Sequence, residues 1–249
     1  RASLELASSP QVVERPIDVA IWGEGSVDRD PIAFPAIGQA VDRAATALDA
    51  PILIGYTNLN ERDHVKNWLG VWEPGKGMDE ATRYSKHVPV PFGEFIPFRD
   101  IIASFATEVA QASKDMEAGE EPPLMTIQAR DGRAVPLAAG ICFEAAYPLV
   151  IGDGVTRGGQ AIVVPSNNYH FRSSGESAQQ GQLLRMRGQA QGQGLVFIGR
   201  LRDEFGQAHG VQQAGGHAAC EAAARLREHG QASPEGIAGR DRKSTRLNS

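Results

Sequence analysis

Residues 135–141 form a short apolar run that leads straight into Cys142, and Glu144 follows two residues later. Val135, Leu137 and Ile141, spaced by small residues, leave no polar face, so the run reads as a buried strand. Cys142 then stands at the strand's C-terminal end, where α/β sheets present chemistry to a cleft. A lone cysteine there more often fills space than reacts, so its reading depends on what else the chain places nearby.

The rest of the chain alternates strand and helix. Strand patterns occupy residues 17–22, 52–56, 66–72, 124–128 and 161–164. Helical spacing appears at 35–48, where Ile37, Val41, Ala44, Ala45 and Leu48 share a face, and at 177–187. Residues 99–105 read as a short helix and 117–123 as an acidic loop ending in proline. Asp49-Ala50-Pro51 breaks the first helix, residues 73–77 form a turn, and Asp131-Gly132 marks a hairpin. There is no internal repeat. Such alternation specifies a layered α/β domain.

Composition removes several function classes. The 249 residues are 41% hydrophobic with net charge −5, enough for one domain with a sizeable core and without the basic stripe of a nucleic-acid surface. Cys142 and Cys220 make neither a disulfide framework nor a metal set, and the six histidines lack ligand spacing. No phosphate-binding glycine loop is present. No segment approaches the ~18 consecutive apolar residues of a membrane span.

Two further segments give Cys142 company. The strand at 17–22 runs into Gly23-Glu24-Gly25, a carboxylate flanked by glycines. Lys86 precedes a proline-punctuated loop that carries Glu94. Glutamate, lysine and cysteine are the parts of thiol acyl transfer: a base for the thiol, a cation for the oxyanion and the nucleophile itself. Taken singly, Glu24 reads as a surface charge at a strand end and Lys86 as a solvated loop cation.

Trp22-Gly23-Glu24, Lys86 with Pro91-Phe92-Gly93-Glu94-Phe95-Ile96-Pro97, and Cys142-Phe143-Glu144 resemble the three blocks of the nitrilase (carbon–nitrogen hydrolase) superfamily. The Pro-Phe-Gly-Glu-aromatic-x-Pro block is similar to the apolipoprotein N-acyltransferase branch, as are Ser166-Asn167-Asn168 and Arg185-Met186-Arg187. The resemblance covers residues 17–199. It implies a four-layer αββα sandwich, here truncated. It also implies a reaction without cofactor or metal, in which Glu24 is the base, Cys142 forms a thioester, and Lys86 with the Phe143 N–H holds the oxyanion. Glu94 and Glu144 are implied in orienting Lys86 or the amine, with loop-fixing hydrogen bonds as the plainer role. Asn167 is implied in substrate binding or support.

By the same resemblance the acyl donor is a membrane phospholipid and the acceptor is the amine of a diacylglyceryl lipoprotein. The place is the extracytoplasmic face of a bacterial cytoplasmic membrane, reached through helices that this sequence does not contain. Phe92, Phe95, Ile96 and Phe98 are the loop residues that would touch lipid; otherwise they pack in a core. The rival readings are a soluble nitrilase-type amidase with water as acceptor, and a scaffold subunit without activity. An intact Glu24, Lys86 and Cys142 argues against the scaffold.

Three spans follow. Residues 1–199 form the catalytic domain, starting abruptly without the expected first strand and reading as a piece cut from a membrane protein. Residues 200–240, rich in Gln, Ala, Gly, His and Arg, read either as a frameshifted tail or as a polar helix over residues 218–228. Residues 241–249 resemble a translated sequencing adapter and are set aside. Cys220 lies in this tail and receives no role.

Overall fold

A computed structural model describes residues 17–99, 101, 114–129, 131–168 and 175–190. It also describes the backbone of 194–199, 201–202 and 208–209. The expected tail helix at 218–228, residues 241–249 and most of the expected helix at 99–105 lie outside the described residues.

Two sheets make the centre. The first joins β1 (Ala20–Ile21), β2 (Ile52–Leu59), β3 (Val65–Glu73) and β4 (Gly77–Met78) in that order, with β5 (Tyr84–Ser85) also pairing β3. The second runs β6 (Leu124–Gln128), β7 (Ala134–Ala139), β8 (Ala161–Ser166), β9 (Gly194–Gly199). The β6–β7 hairpin is antiparallel, whereas β7–β8 and β8–β9 are parallel.

Period-two alternation divides the side chains between layers. From β2, Leu53 points to a core shared with Met125, Ile127, Leu137, Ala139 and Val163 of the second sheet. Its neighbours Ile52, Ile54 and Tyr56 point the other way, against Val41, Ala44, Ala45 and Leu48 of α1 (Pro35–Leu48). On the far side, Ala138, Ile162 and Val164 meet Ile151 of α2 (Pro148–Thr156) and Leu184 of α3 (Glu176–Ala190). The order is helix, sheet, sheet, helix, which is the expected αββα sandwich. Both faces of each central strand are covered, which is why the strands read as unbroken apolar runs.

The first strand is shorter than its apolar pattern suggests. Regular pairing covers only Ala20 and Ile21, which run parallel to Ile52 and Leu53. The ladder then breaks at a turn through Gly25, at φ 59°, and resumes as a single bridge from Val27 to Tyr56. That break turns Glu24 out of the sheet. Gly55 makes room for it, since a Cβ there would sit 2.9 Å from the Glu24 Cα and 3.0 Å from the Gly23 carbonyl oxygen.

Candidate active site

Glu24, Lys86 and Cys142 come from three separate segments and meet at one edge of the two sheets. Lys86 follows β5 directly and its side chain is completely buried. Its Nζ lies 3.6 Å from Glu24 Oε1 and 2.6 Å from Glu94 Oε1. The strand end thus carries a cation enclosed by two carboxylates, not the solvated loop cation that a lone lysine suggests. Burial is the largest influence on this ammonium and works against its charge. Glu24, Cys142 and Glu94 together outweigh it and hold the pKa above the ordinary lysine value.

Glu24 is positioned from both sides. Asn67 Nδ2 donates to Oε1 at 2.8 Å, and the Asn167 backbone N–H donates to Oε2 at 2.8 Å. The Cys142 thiol lies near enough to feel this carboxylate's charge. Burial, and after it the charge of Glu24, push the thiol up to about 12, with Lys86 pulling the other way. At neutral pH the cysteine is therefore a thiol, beside the carboxylate that would take its proton. A nucleophile in that condition needs a base, and Glu24 is the carboxylate nearest in effect.

Cys142 is not part of the strand that leads to it. β7 ends at Ala139, and Cys142 opens a 3-10 turn, Cys142–Ala146, with φ at 50°. A non-glycine residue in the left-handed region costs on the order of 1–3 kcal/mol and persists only where its surroundings enforce it. Glu144 does much of the enforcing. Its Oε2 accepts from the Ile141 N–H at 2.7 Å and the Tyr84 hydroxyl at 2.8 Å. Oε1 accepts from the N–H groups of His87 at 2.6 Å and Val88 at 3.0 Å. One buried carboxylate thus ties the turn before the cysteine to the chain after Lys86. Its own pKa is raised, because burial outweighs these four bonds. Of the two roles expected for Glu144, the geometry displays loop fixing, since no bond runs to Lys86.

Glu94 bridges in the other direction. Oε2 accepts from the Val90 N–H at 2.8 Å while Oε1 holds Lys86, so the 91–98 loop is tied to the lysine. Phe143 is the second residue of the 3-10 turn, where an N–H has no carbonyl of the turn behind it. Its ring packs edge-on against Tyr147, centroids 5.4 Å apart. Of the four apolar residues expected to face outward, Phe92 and Phe98 are exposed at 71% and 78%, while Phe95 and Ile96 are half-buried.

Four supporting residues escaped the sequence reading or entered it only by resemblance. Asn67 is a polar residue inside an apolar strand, which is itself a signal. Tyr84 opens β5, two residues before Lys86. Gln180 Nε2 donates to the Cys142 carbonyl at 2.7 Å and to Ser166 Oγ at 3.2 Å. Arg187 donates to the carbonyls of Ala145 and Ala146 at 2.8 and 2.9 Å. The last two fix the turn from α3, and nothing local in the sequence announces the Gln180 contact. No group of three His, Cys, Asp or Glu side chains among the described residues is placed to hold a metal ion.

No family model matches the chain. The chain is 32% identical over 167 residues to the apolipoprotein N-acyltransferase of Mycolicibacterium smegmatis, an alignment covering 64% of this chain and 26% of that protein. It is 27% identical over 185 residues to the same enzyme from Vibrio parahaemolyticus, covering 72% and 35%. In sequence the chain is thus similar to a part of the apolipoprotein N-acyltransferases. It spans about a quarter to a third of the length of these curated relatives. Solved structures of the same fold include an amidase from Nesterenkonia sp. AN1, with an acetamide moiety added covalently at its active-site cysteine. That match has a TM-score of 0.54 and 15% identity, and covers 80% of this chain and 68% of that one. A glutamine-dependent NAD+ synthetase from Acinetobacter baumannii matches with a TM-score of 0.53 at 15% identity, over 84% of this chain and 36% of that one. No helix among the described residues is long and apolar enough to cross a membrane.

Proposed function

We propose that this domain transfers an acyl chain from a phospholipid ester, through a thioester on Cys142, to the N-terminal amine of a diacylglyceryl lipoprotein. Glu24 takes the thiol proton as the sulfur attacks the ester carbonyl. The oxygen of the tetrahedral intermediate takes up the negative charge, against Lys86 and the Phe143 N–H. Collapse expels the lysophospholipid alkoxide, to which Glu24 returns the proton. The incoming amine then attacks the thioester, Glu24 accepts its proton, and the thiolate leaves. The site of action on this reading is the membrane surface of a bacterium, outside the cytoplasm.

The observation that carries transfer over hydrolysis is the 91–98 loop. It exposes two phenylalanines, Phe92 and Phe98, both held at positive φ, 61° and 53°. Exposed aromatics in a strained backbone add nothing to the fold; beside a thioester they suit a lipid chain and the exclusion of water. The test is a two-stage assay on the full-length protein. Phospholipid alone should add a hydroxylamine-sensitive acyl mass to Cys142, and a diacylglyceryl peptide should then remove it as an amide. Replacing Phe92 and Phe98 by serine should slow the second stage more than the first. A wild-type acyl-enzyme that hydrolyses and never acylates the peptide would establish the amidase reading instead.

A further inference from the structure

Residues 114–121 run alongside the site without sending a side chain to Cys142, yet they hold two of its charged residues. The Asp115 carboxylate takes a bidentate pair from Arg99, Nε to Oδ2 at 2.7 Å and Nη2 to Oδ1 at 2.6 Å. The same Oδ1 accepts from the Ile96 N–H at 2.9 Å. The Met116 N–H donates to the Glu94 carbonyl at 2.8 Å. Val65 of β3 bonds on both sides, its N–H to the Asp115 carbonyl and its carbonyl to the Glu117 N–H, each at 2.9 Å. Farther on, the Gly119 N–H donates to the Lys86 carbonyl at 2.7 Å. The Glu121 carboxylate accepts from Ser85 Oγ, and its carbonyl accepts from His87 Nε2 at 2.6 Å. The segment is a strap with one end on the rim loop and the other on the lysine. A Cβ at Gly119 would overlap Ser85, so the strap lies directly on β5.

We propose that Asp115 is a positioning residue: by clasping Arg99 and Ile96 it seats the rim loop so that Glu94 stays on Lys86. The inference rests on the proposed role of Cys142 as nucleophile. The groups facing that thiol are Glu24, Lys86 and Glu94, and those facing Asp115 are Arg99 and His64. Glu94 affects the thiol twice, as a negative charge of its own and as the partner that neutralises Lys86. If the clasp opens, Glu94 withdraws and Lys86 acts on the sulfur less compensated. The thiolate then forms at lower pH, which simple loosening of a loop would not cause.

The test is the rate of Cys142 alkylation by iodoacetamide between pH 7 and 11, followed on the Cys142 peptide by mass so that Cys220 does not contribute. Asp115→Asn and Glu94→Gln should each move the profile to lower pH by roughly half a unit or more, about a three-fold faster rate at fixed pH below the midpoint. The double variant should move no farther than Glu94→Gln alone, because both act through one contact. Arg99→Gln should reproduce Asp115→Asn, and it decides the matter if Asp115→Asn does not fold. Unmoved profiles in folded Asp115→Asn and Arg99→Gln, or shifts that add in the double variant, would overturn the proposal. Alkylation requires no acyl donor, so failure of the phospholipid assay would strike the transfer reading and leave this result standing.

Discussion

The buried cluster and the rim loop are eight residues apart in sequence at Lys86 and Glu94, and they are built on opposite terms. In the cluster, Glu144 uses both carboxylate oxygens on four donors and Lys86 is enclosed by two carboxylates. The loop instead exposes Phe92 and Phe98 and holds both in the left-handed region. Charge works best where water is excluded and every partner is fixed, because the groups then need no rearrangement when a reaction begins. Apolar area on a rim has no such partner within the fold. The contrast predicts that damage to the cluster costs stability and chemistry together, while removal of the loop's exposed rings costs only what happens to substrate.

The largest effect should come from Glu144→Ala. It strands the N–H groups of Ile141, His87 and Val88 and the Tyr84 hydroxyl in the interior, each worth ~1–3 kcal/mol when unsatisfied. A loss of about 3 kcal/mol or more in urea unfolding is expected, with no thioester formed. A loss below about 1 kcal/mol would show that the cluster is looser than its hydrogen bonds indicate. Gly55→Ala comes next. Its Cβ would press on the main chain of Glu24 at 2.9 Å, which cannot give as a side-chain end can. We expect roughly 1–3 kcal/mol of destabilisation and slowed acylation of Cys142, read by denaturation and acyl-enzyme mass.

A smaller effect separates thiol from fold. In the folded chain the Cys142 thiol is held up at about 12, whereas an unfolded cysteine ionises near ~8.5. Between those values the native state keeps a proton that the unfolded chain has lost. Stability is therefore complete below the lower value and falls as pH rises toward the upper one, by up to ~1.4 kcal/mol per pH unit. Cys142→Ser removes that slope. The stability difference between wild type and Cys142→Ser should thus move against the wild type by about 1 kcal/mol or more from pH 7 to pH 10. No change in that difference would mean that the folded thiol ionises where an unfolded cysteine does, and a shift in favour of the wild type would mean that it is already ionised at pH 7. The smallest effect belongs to the rim: Phe92→Ser with Phe98→Ser should alter unfolding by less than about 0.5 kcal/mol per site. A larger loss would place those rings in the core and weaken the comparison.

Much of this was legible because apolar periodicity is local. The helix at 35–48 and the strands at 124–128 and 161–164 follow from spacing that each segment carries alone. The three site segments were legible because each joins a rigid element to a residue type with distinctive chemistry. The exposure of Phe92 and Phe98 but not Phe95 and Ile96 was not, because all four are apolar and only the fold of the loop distinguishes them. The strand at 17–22 was read too long, because pairing depends on what lies beside a strand and not on its own residues.

The sequence by itself determined the alternation of strands and helices, the apolar faces that become layers, and the presence of a glutamate, a lysine and a cysteine at element ends. Only the tertiary structure decided that Lys86 is buried between Glu24 and Glu94, that Cys142 turns out of its strand at positive φ, and that Glu144 ties the two segments together. The physical reason is range. Periodicity and turn chemistry act over a few residues, whereas the protonation of a buried thiol depends on the charges of Glu94, Lys86 and Glu24, which lie 48, 56 and 118 residues away in the chain and are brought beside it when the sheets pack.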